Sequence, residues 1–336
     1  MSEAELTDKV AFLSTPAAYP VPTTSVETKE THMSCLFLTD HHVWKLKKPV
    51  RYAYLDFSTV EARKRDCELE LELNRRLAPD VYLGIMPLVT DAEGKMQLGG
   101  EGHVVDWLVM MRRLPEHRML DVAIADQTVT REEIRNVGVL LTRFYQQAKK
   151  MPLSAAEYKR LLEAEAAECA RELRRPEFGL PPEMVESIEA LQIATLKQHA
   201  GVFDERARQG KIVEAHGDLR PEHICLESQP VIIDCLEFHP DFRILDPVSE
   251  LAFLALECER LGAAWVGDLI LETYRHETND CPPELLARYY KRQHAYVRAK
   301  IAIWHLNDHD VRDPGKWIEK AKDYLRRAQS FQQFHN

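Results

Sequence analysis

A chain of 336 residues is too long for one small core and suits two, and 45% hydrophobic with 29% charged residues describes a globular protein. The formal net charge of −10 argues against sequence-independent nucleic-acid binding, which needs a broadly basic surface. Seven scattered cysteines with no C-x-x-C pair signal neither a disulfide framework nor a structural zinc site, and fit reduced thiols in a cytoplasmic setting. The opening MSEAELTDKV is acidic and polar, unlike a signal peptide. The most apolar long stretch, Leu251–Leu271, carries Glu257, Glu259, Arg260 and Asp268, so buried helices and no membrane partner are expected.

Residues 1–24 are rich in Pro, Thr and Ala and predict an irregular lead-in with one short helix. CLFLTD and VWKLKKPV then read as two strands joined at a polar turn, Asp40–His41. Ser58 to Glu61 has the form of a capping box and predicts a helix to about Leu77, stopped by Ala78-Pro79-Asp80. Strands follow at 81–89 and 103–111, separated by a turn near Gly99–Gly100. Beyond Arg112 the pattern is mainly helical. Thr130/Glu133 and Ser154/Glu157 are further capping boxes, and helices are expected at 130–149, 154–174 and 183–209. Short strands interrupt around Lys211–Val213 and Val231–Ile233, before helices at 247–260, 264–276, 283–306 and 314–333. No GxxxxGK[ST] occurs, which excludes a P-loop module.

HGDLRPEH, His216 to His223, is the most informative stretch. The protein-kinase catalytic loop reads H-R-D-L-x-x-x-N; His216, Asp218 and Leu219 match it, and His223 stands where Asn is expected. The apolar run VIID ends on Asp234, as a metal-binding acid at a strand end would. With Gly217 after the histidine, the segment resembles the loop of the aminoglycoside phosphotransferase and choline kinase family. The resemblance covers about Val26 to Lys300. It implies an α+β, two-lobed, protein-kinase-like fold, with a small antiparallel-sheet N-lobe (1–111) and a mostly helical C-lobe (112–336). It also implies ATP-dependent transfer of the γ-phosphoryl group to a hydroxyl of a small molecule.

In that family reading, Asp218 is the base or aligner of the attacking hydroxyl, and Arg220 balances transition-state charge. Asp234 binds Mg²⁺, and Glu237 is either a second metal-binding acid or an exposed loop carboxylate. His223 offers an imidazole nitrogen, softer than an Asn carbonyl, which brings Mn²⁺ into consideration. It is a working ligand, a loop hydrogen-bonding residue, or the mark of a nucleotide-binding pseudokinase with a regulatory or scaffolding role. Adenylyl transfer is a further alternative for this fold.

Lys45 is the expected phosphate-pairing lysine, because Val43 and Lys45 share a strand face; Lys47 has the same parity and is the runner-up. Of Glu68, Glu70 and Glu72, Glu70 lies at the margin of a stripe through Cys67, Leu71 and Asn74, and is the expected partner of Lys45. Residues 107–121 read locally either as an ordinary core strand or as the hinge; their position between the lobes favours the hinge, with Met110 and Met111 lining the adenine. The segment 23–34 contains no glycine, so backbone amides and hydroxyls around Ser25–Thr31 are left to hold the triphosphate. Asp246 is expected to hold the catalytic loop, with Glu250-Leu251-Ala252 on the helix that follows. Arg292, Tyr296 and Lys300, spaced by four, form either a basic wall suited to an anionic acceptor or a solvated face.

Overall fold

The computed structural model describes residues 5–52, 55–307 and 313–331. The first four residues of the predicted lead-in and the last two of the predicted 314–333 helix lie outside them. The chain forms two compact units, Met1–Ala123 with Glu222–Phe242, and Ile124–Pro221 with Arg243–Asn336. No described helix is long and apolar enough to cross a membrane. All seven cysteines are free thiols, and only Cys281 is exposed.

The first unit begins with α1 (Leu6–Leu13). Then come β1 (Glu27–Glu30), β2 (Ser34–Leu38), β3 (His42–Lys47) and a ribbon of β4 (Arg51–Tyr52) with β5 (Leu55–Asp56). Next are α2 (Val60–Asn74), β6 (Tyr82–Thr90), β7 (Met96–Leu98) and β8 (His103–Arg112). Six strands form an antiparallel sheet in the order β1-β2-β3-β8-β6-β7. Alternation along β3 and β8 gives the sheet two apolar faces. Trp44, Leu46 and Leu108 pack with Phe37 and with Leu13 of α1. Val43, Val109, Met111 and Tyr82 pack with Cys67 of α2. Buried Asp106 receives Lys9 of α1 at 2.8 Å and two nitrogens of Arg63 of α2 at 2.8 and 2.9 Å, so it ties a helix from each face to the sheet.

The cap of α2 falls one residue later than the sequence pattern suggests. Thr59 accepts from the Ala62 amide, while Ser58 donates to Asp56. β1 and β7 were not expected. The first is the glycine-free segment, and it is exposed along its whole length and pairs antiparallel with β2.

The second unit is helical. After α3 (Leu120–Ala125), where the chain passes between units, come α4 (Arg131–Gln147), α5 (Ala155–Leu173), α6 (Pro182–Gln198) and α7 (Ala200–Arg208). They are followed by α8 (Pro247–Arg260), α9 (Ala264–Thr278), α10 (Glu284–Trp304) and α11 (Pro314–Ser330). Both expected capping boxes are formed, opening α4 and α5. The single helix expected over 183–209 is two, broken at His199. The longest helix, α10, lies in a core built with α5, α6, α8 and α11 through Cys169, Ile188, Phe253, Tyr296 and Leu325.

Candidate active site

In the first unit, side chains from β3, α2 and the Asp234 turn converge. The Lys45 ammonium lies 2.9 Å from Glu70 Oε1 and 3.2 Å from Asp234 Oδ1. Lys47, two residues along the same strand face, reaches the other Glu70 oxygen at 2.6 Å. It also reaches Asp66 at 2.6 Å and Glu237 at 2.5 Å. Glu70 is therefore shared, one oxygen to each lysine. Glu68 and Glu72 are exposed. Sequence spacing held the signals for Lys47, by strand parity, and for Asp66, one helical turn before Glu70. It gave no sign that one glutamate would hold both lysines.

Burial works against every charge in this cluster, and the neighbours decide the result. Against burial, Asp234 and Glu70 hold Lys45 well above the ordinary lysine value. Against burial, Glu237 and Glu70 do the same for Lys47. Glu70 is lowered because the two lysines outweigh its burial. For Glu237 burial prevails over Lys47, and its carboxyl is pushed up to about 7.

Asp66, Glu70 and Glu237 are close enough together to hold a cation. Lys47 already supplies that charge, with its ammonium 2.5 to 2.6 Å from each of them. Glu237 is thus a partner of Lys47 rather than an exposed loop carboxylate, and is buried. Asp234 is different. Its side chain is 48% exposed, and its φ of +62° is a backbone state rare outside glycine. Its amide donates to the Tyr82 hydroxyl at 3.1 Å, and the next amide, Cys235, donates to Asn74 at 2.8 Å. The buried His223 brings Nε2 to 3.5 Å from Asp234 Oδ2. An oxygen donor on a rigid turn fits Mg²⁺, which takes one or two carboxylates and keeps several waters.

Met111 is buried against Val43 and Tyr82, while Met110 faces the opposite side of the sheet. The segment around Ser25–Thr31 is a hairpin edge. Its tip is held by Lys48, which donates to Glu30 and to the Thr31 carbonyl, both at 2.5 Å.

In the second unit, Arg220 Nε donates to Asp218 Oδ2 at 3.0 Å. Gly217 has φ of +93°, and the amides of His216 and Gly217 donate to Glu250 Oε1 at 3.0 and 2.6 Å. Tyr145 donates to the other Glu250 oxygen at 2.8 Å. The loop is therefore held by Glu250, not by Asp246 as expected. Asp246 caps α8 through the Val248 amide and takes two bonds from Arg206, each 2.7 Å. The correction has a simple cause. A residue at the helix cap points at its own first turn, whereas one turn in, Glu250 presents a carboxylate to two neighbouring amides.

The expectation for α10 also needs correcting. Arg292, Tyr296 and Lys300 do share a face, but it is buried in the helical core. Arg292 donates to Thr195 at 2.9 Å, Tyr296 to the Val185 carbonyl at 3.1 Å, and Lys300 to Glu168 at 2.8 Å. They are neither an acceptor wall nor a solvated face.

These features define a kinase-like fold, an antiparallel-sheet lobe and a helical lobe, which is also the fold of several solved structures. An aminoglycoside 2'-phosphotransferase-IIIa in its GDP complex aligns over 93% of this chain and 94% of its own, with TM-score 0.56 and 15% identity. A choline/ethanolamine kinase family protein from Mesorhizobium loti aligns over 98% and 96%, with TM-score 0.57 and 14% identity. The family model described as APH, phosphotransferase enzyme family, matches residues 40–292. The chain belongs to that family. Uncharacterised proteins of Mycobacterium tuberculosis and Mycobacterium bovis are 32% identical to it over 285 residues, 82% of this chain and 54% of theirs. The chain thus spans about half the length of the curated relatives it matches.

Proposed function

We propose that the protein transfers the terminal phosphoryl group of ATP to a hydroxyl of a small molecule. The observation that carries this reading is the Lys45 ammonium held between buried Glu70 and half-exposed Asp234. Phosphoryl transfer asks a protein mainly for positioning and for charge placed against phosphate oxygens. Lys45, kept protonated and aimed by Glu70, offers that charge. Asp234 would hold Mg²⁺, with His223 on its second oxygen. When bound, the ion neutralises charge on the phosphates.

Asp218 orients the acceptor hydroxyl and accepts its proton. The hydroxyl oxygen bonds to the terminal phosphorus as the bond from phosphorus to the bridging oxygen breaks, and ADP leaves. Arg220 fixes the Asp218 carboxylate, and Glu250 fixes the loop that carries it.

Thermal unfolding with ATP and either Mg²⁺ or Mn²⁺ tests the nucleotide half of this reading. A metal-dependent rise in wild type that disappears in Asp234→Ala is expected; no rise with either metal would sink the reading. Asp218→Asn should keep the rise while transfer drops roughly 10²- to 10⁴-fold.

A further inference from the structure

A second charge cluster lies within the helical unit, on a different side of α10 from its buried basic stripe. His294 and Arg298 stand one turn apart there. His294 Nε2 is 2.9 Å from Ser249 Oγ, and its ring stacks on Phe253 at 4.8 Å. The Arg298 guanidinium lies 5.9 Å from the ring centres of both Phe253 and Tyr324. Its Nε is buried without a hydrogen-bond partner and stands 4.0 Å from the Glu257 carboxylate. Glu257 is already engaged, by the Tyr324 hydroxyl at 2.8 Å and by Arg260 Nε at 3.1 Å.

Arg260 lies 5.3 Å over the same tyrosine ring. Lys320, one turn before Tyr324 on α11, makes no ion pair with a described carboxylate. Burial, then Arg298 and Arg260, and more weakly Arg220, push it below the ordinary lysine value, with only Glu257 pulling the other way. Arg298 is within electrostatic reach of Asp218. Asp323 adds some pull on Arg260, but its own oxygen bonds Arg327 at 3.0 Å.

Three cations, Arg260, Arg298 and Lys320, thus gather around Glu257, with Asp218 and Asp323 the further carboxylates that act on the two arginines. Like charges brought together at partial burial are unfavourable unless an anion joins them. Guanidinium groups beside an ammonium suit a phosphate, which accepts several charge-assisted hydrogen bonds.

We propose that Arg298, Lys320 and Arg260 bind a phosphate group carried by the acceptor, so that the alcohol phosphorylated at Asp218 is itself a phosphate monoester. This rests on the phosphotransferase reading above and deepens it. It places the recognition of acceptor charge in the helical unit.

The test uses the full chain as wild type, Arg298→Gln and Lys320→Gln. Thermal unfolding is measured in sodium phosphate against sodium chloride at matched ionic strength, and separately with ATP and Mg²⁺. Transfer from ATP is then measured to paired alcohols that differ by one phosphate, glycerol against glycerol 3-phosphate and ribose against ribose 5-phosphate. The expected result is a phosphate-specific rise in the wild-type midpoint that each substitution weakens by about tenfold in apparent Kd, with the ATP response unchanged. The phosphorylated member of a pair is expected to be the better acceptor, and each substitution to raise its KM about tenfold.

The unchanged ATP response also reports that a variant is folded, and Lys320→Gln stands alone if Arg298→Gln is not. The proposal is overturned if both variants keep the full phosphate rise, or if the ATP response is lost with it. It is also overturned if uncharged alcohols are preferred and the substitutions leave their turnover untouched. Failure of the phosphotransferase reading looks different: no ATP response and no transfer to any alcohol, with the phosphate rise and its loss in the variants intact. That result would leave an anion site whose occupant is not an acceptor, which overturns the acceptor assignment.

Discussion

The two units each gather charge, in opposite proportions. In the first, two ammoniums meet four carboxyl groups, Asp66, Glu70, Asp234 and Glu237, at 2.5 to 3.2 Å. In the second, Arg260, Arg298 and Lys320 gather around Glu257, and Arg298 comes no nearer to it than 4.0 Å. The surplus shows in the groups that give way. Burial, with too few lysines to offset it, pushes Glu237 up to about 7. Burial, with too many arginines, pushes Lys320 down. A surplus of carboxyl groups suits a cation, and a surplus of guanidinium groups suits an anion. Access differs as well. Lys47 and Glu70 side chains are 1% exposed and only Asp234 is open, at 48%, whereas Arg298 and Arg260 keep 14% and 25%. The first cluster is mainly a rigid support around one working lysine.

Lys47→Met breaks the first cluster at its centre. It leaves buried Glu237 and half-buried Asp66 without their ammonium and Glu70 with Lys45 alone, and a buried ion pair broken on one side costs about 3–5 kcal/mol. Urea denaturation should show that loss, and adding Glu237→Gln to the same chain should recover part of it. Phosphate binding per folded molecule, read in the second unit, should not change. The next largest effect separates the two sides of α10. Tyr296→Leu removes a buried ring and its bond to the Val185 carbonyl, and should destabilise by about 2 kcal/mol while sparing phosphate binding. Arg298→Gln should do the reverse.

The raised Glu237 carboxyl gives a smaller effect with a definite sign. Between its ordinary value of 4.5 and about 7, the folded chain keeps a proton that the unfolded chain has lost. Stability contributed by this group therefore falls as pH rises through that window, and levels off above it. Glu237→Gln, which cannot ionise, should flatten that slope in urea midpoints measured across it. An unchanged slope would mean that Lys47 holds Glu237 ionised throughout.

Much of the fold was legible because it rests on local signals. The bounds of α8 and the two capping boxes follow from residues that touch their own helix. β1 was missed because ETKE is polar on both faces, so an edge strand with no buried side carries no alternation. The break at His199 was missed because neither Gly nor Pro stands there. At the site, strand parity and helical spacing were enough to bring Lys45 and Glu70 forward. They could not separate the two sides of α10, because the partners that bury Arg292 and Lys300 (Thr195 and Glu168) come from helices 97 and 132 residues earlier. The same limit hid Glu250, whose role depends on two amides from a distant loop.

The smallest prediction tests a one-residue shift within the first cluster's support. The sequence pattern puts the α2 cap at Ser58, and the structure puts it at Thr59, whose hydroxyl accepts the Ala62 amide at 3.1 Å. Loss of an N-cap hydroxyl costs about 1 kcal/mol, because a first-turn amide is left unpaired. Thr59→Ala should therefore destabilise by about that amount. Ser58→Ala, which loses only an exposed bond to Asp56, should cost roughly half as much or less. α2 carries Asp66 and Glu70 on its second and third turns, so fraying that starts at the cap loosens the carboxyl groups before it reaches the sheet. Thr59→Ala should accordingly weaken ATP binding slightly and leave phosphate binding in the helical unit unchanged. Equal losses from Ser58→Ala and Thr59→Ala would return the cap to the residue that the pattern favoured.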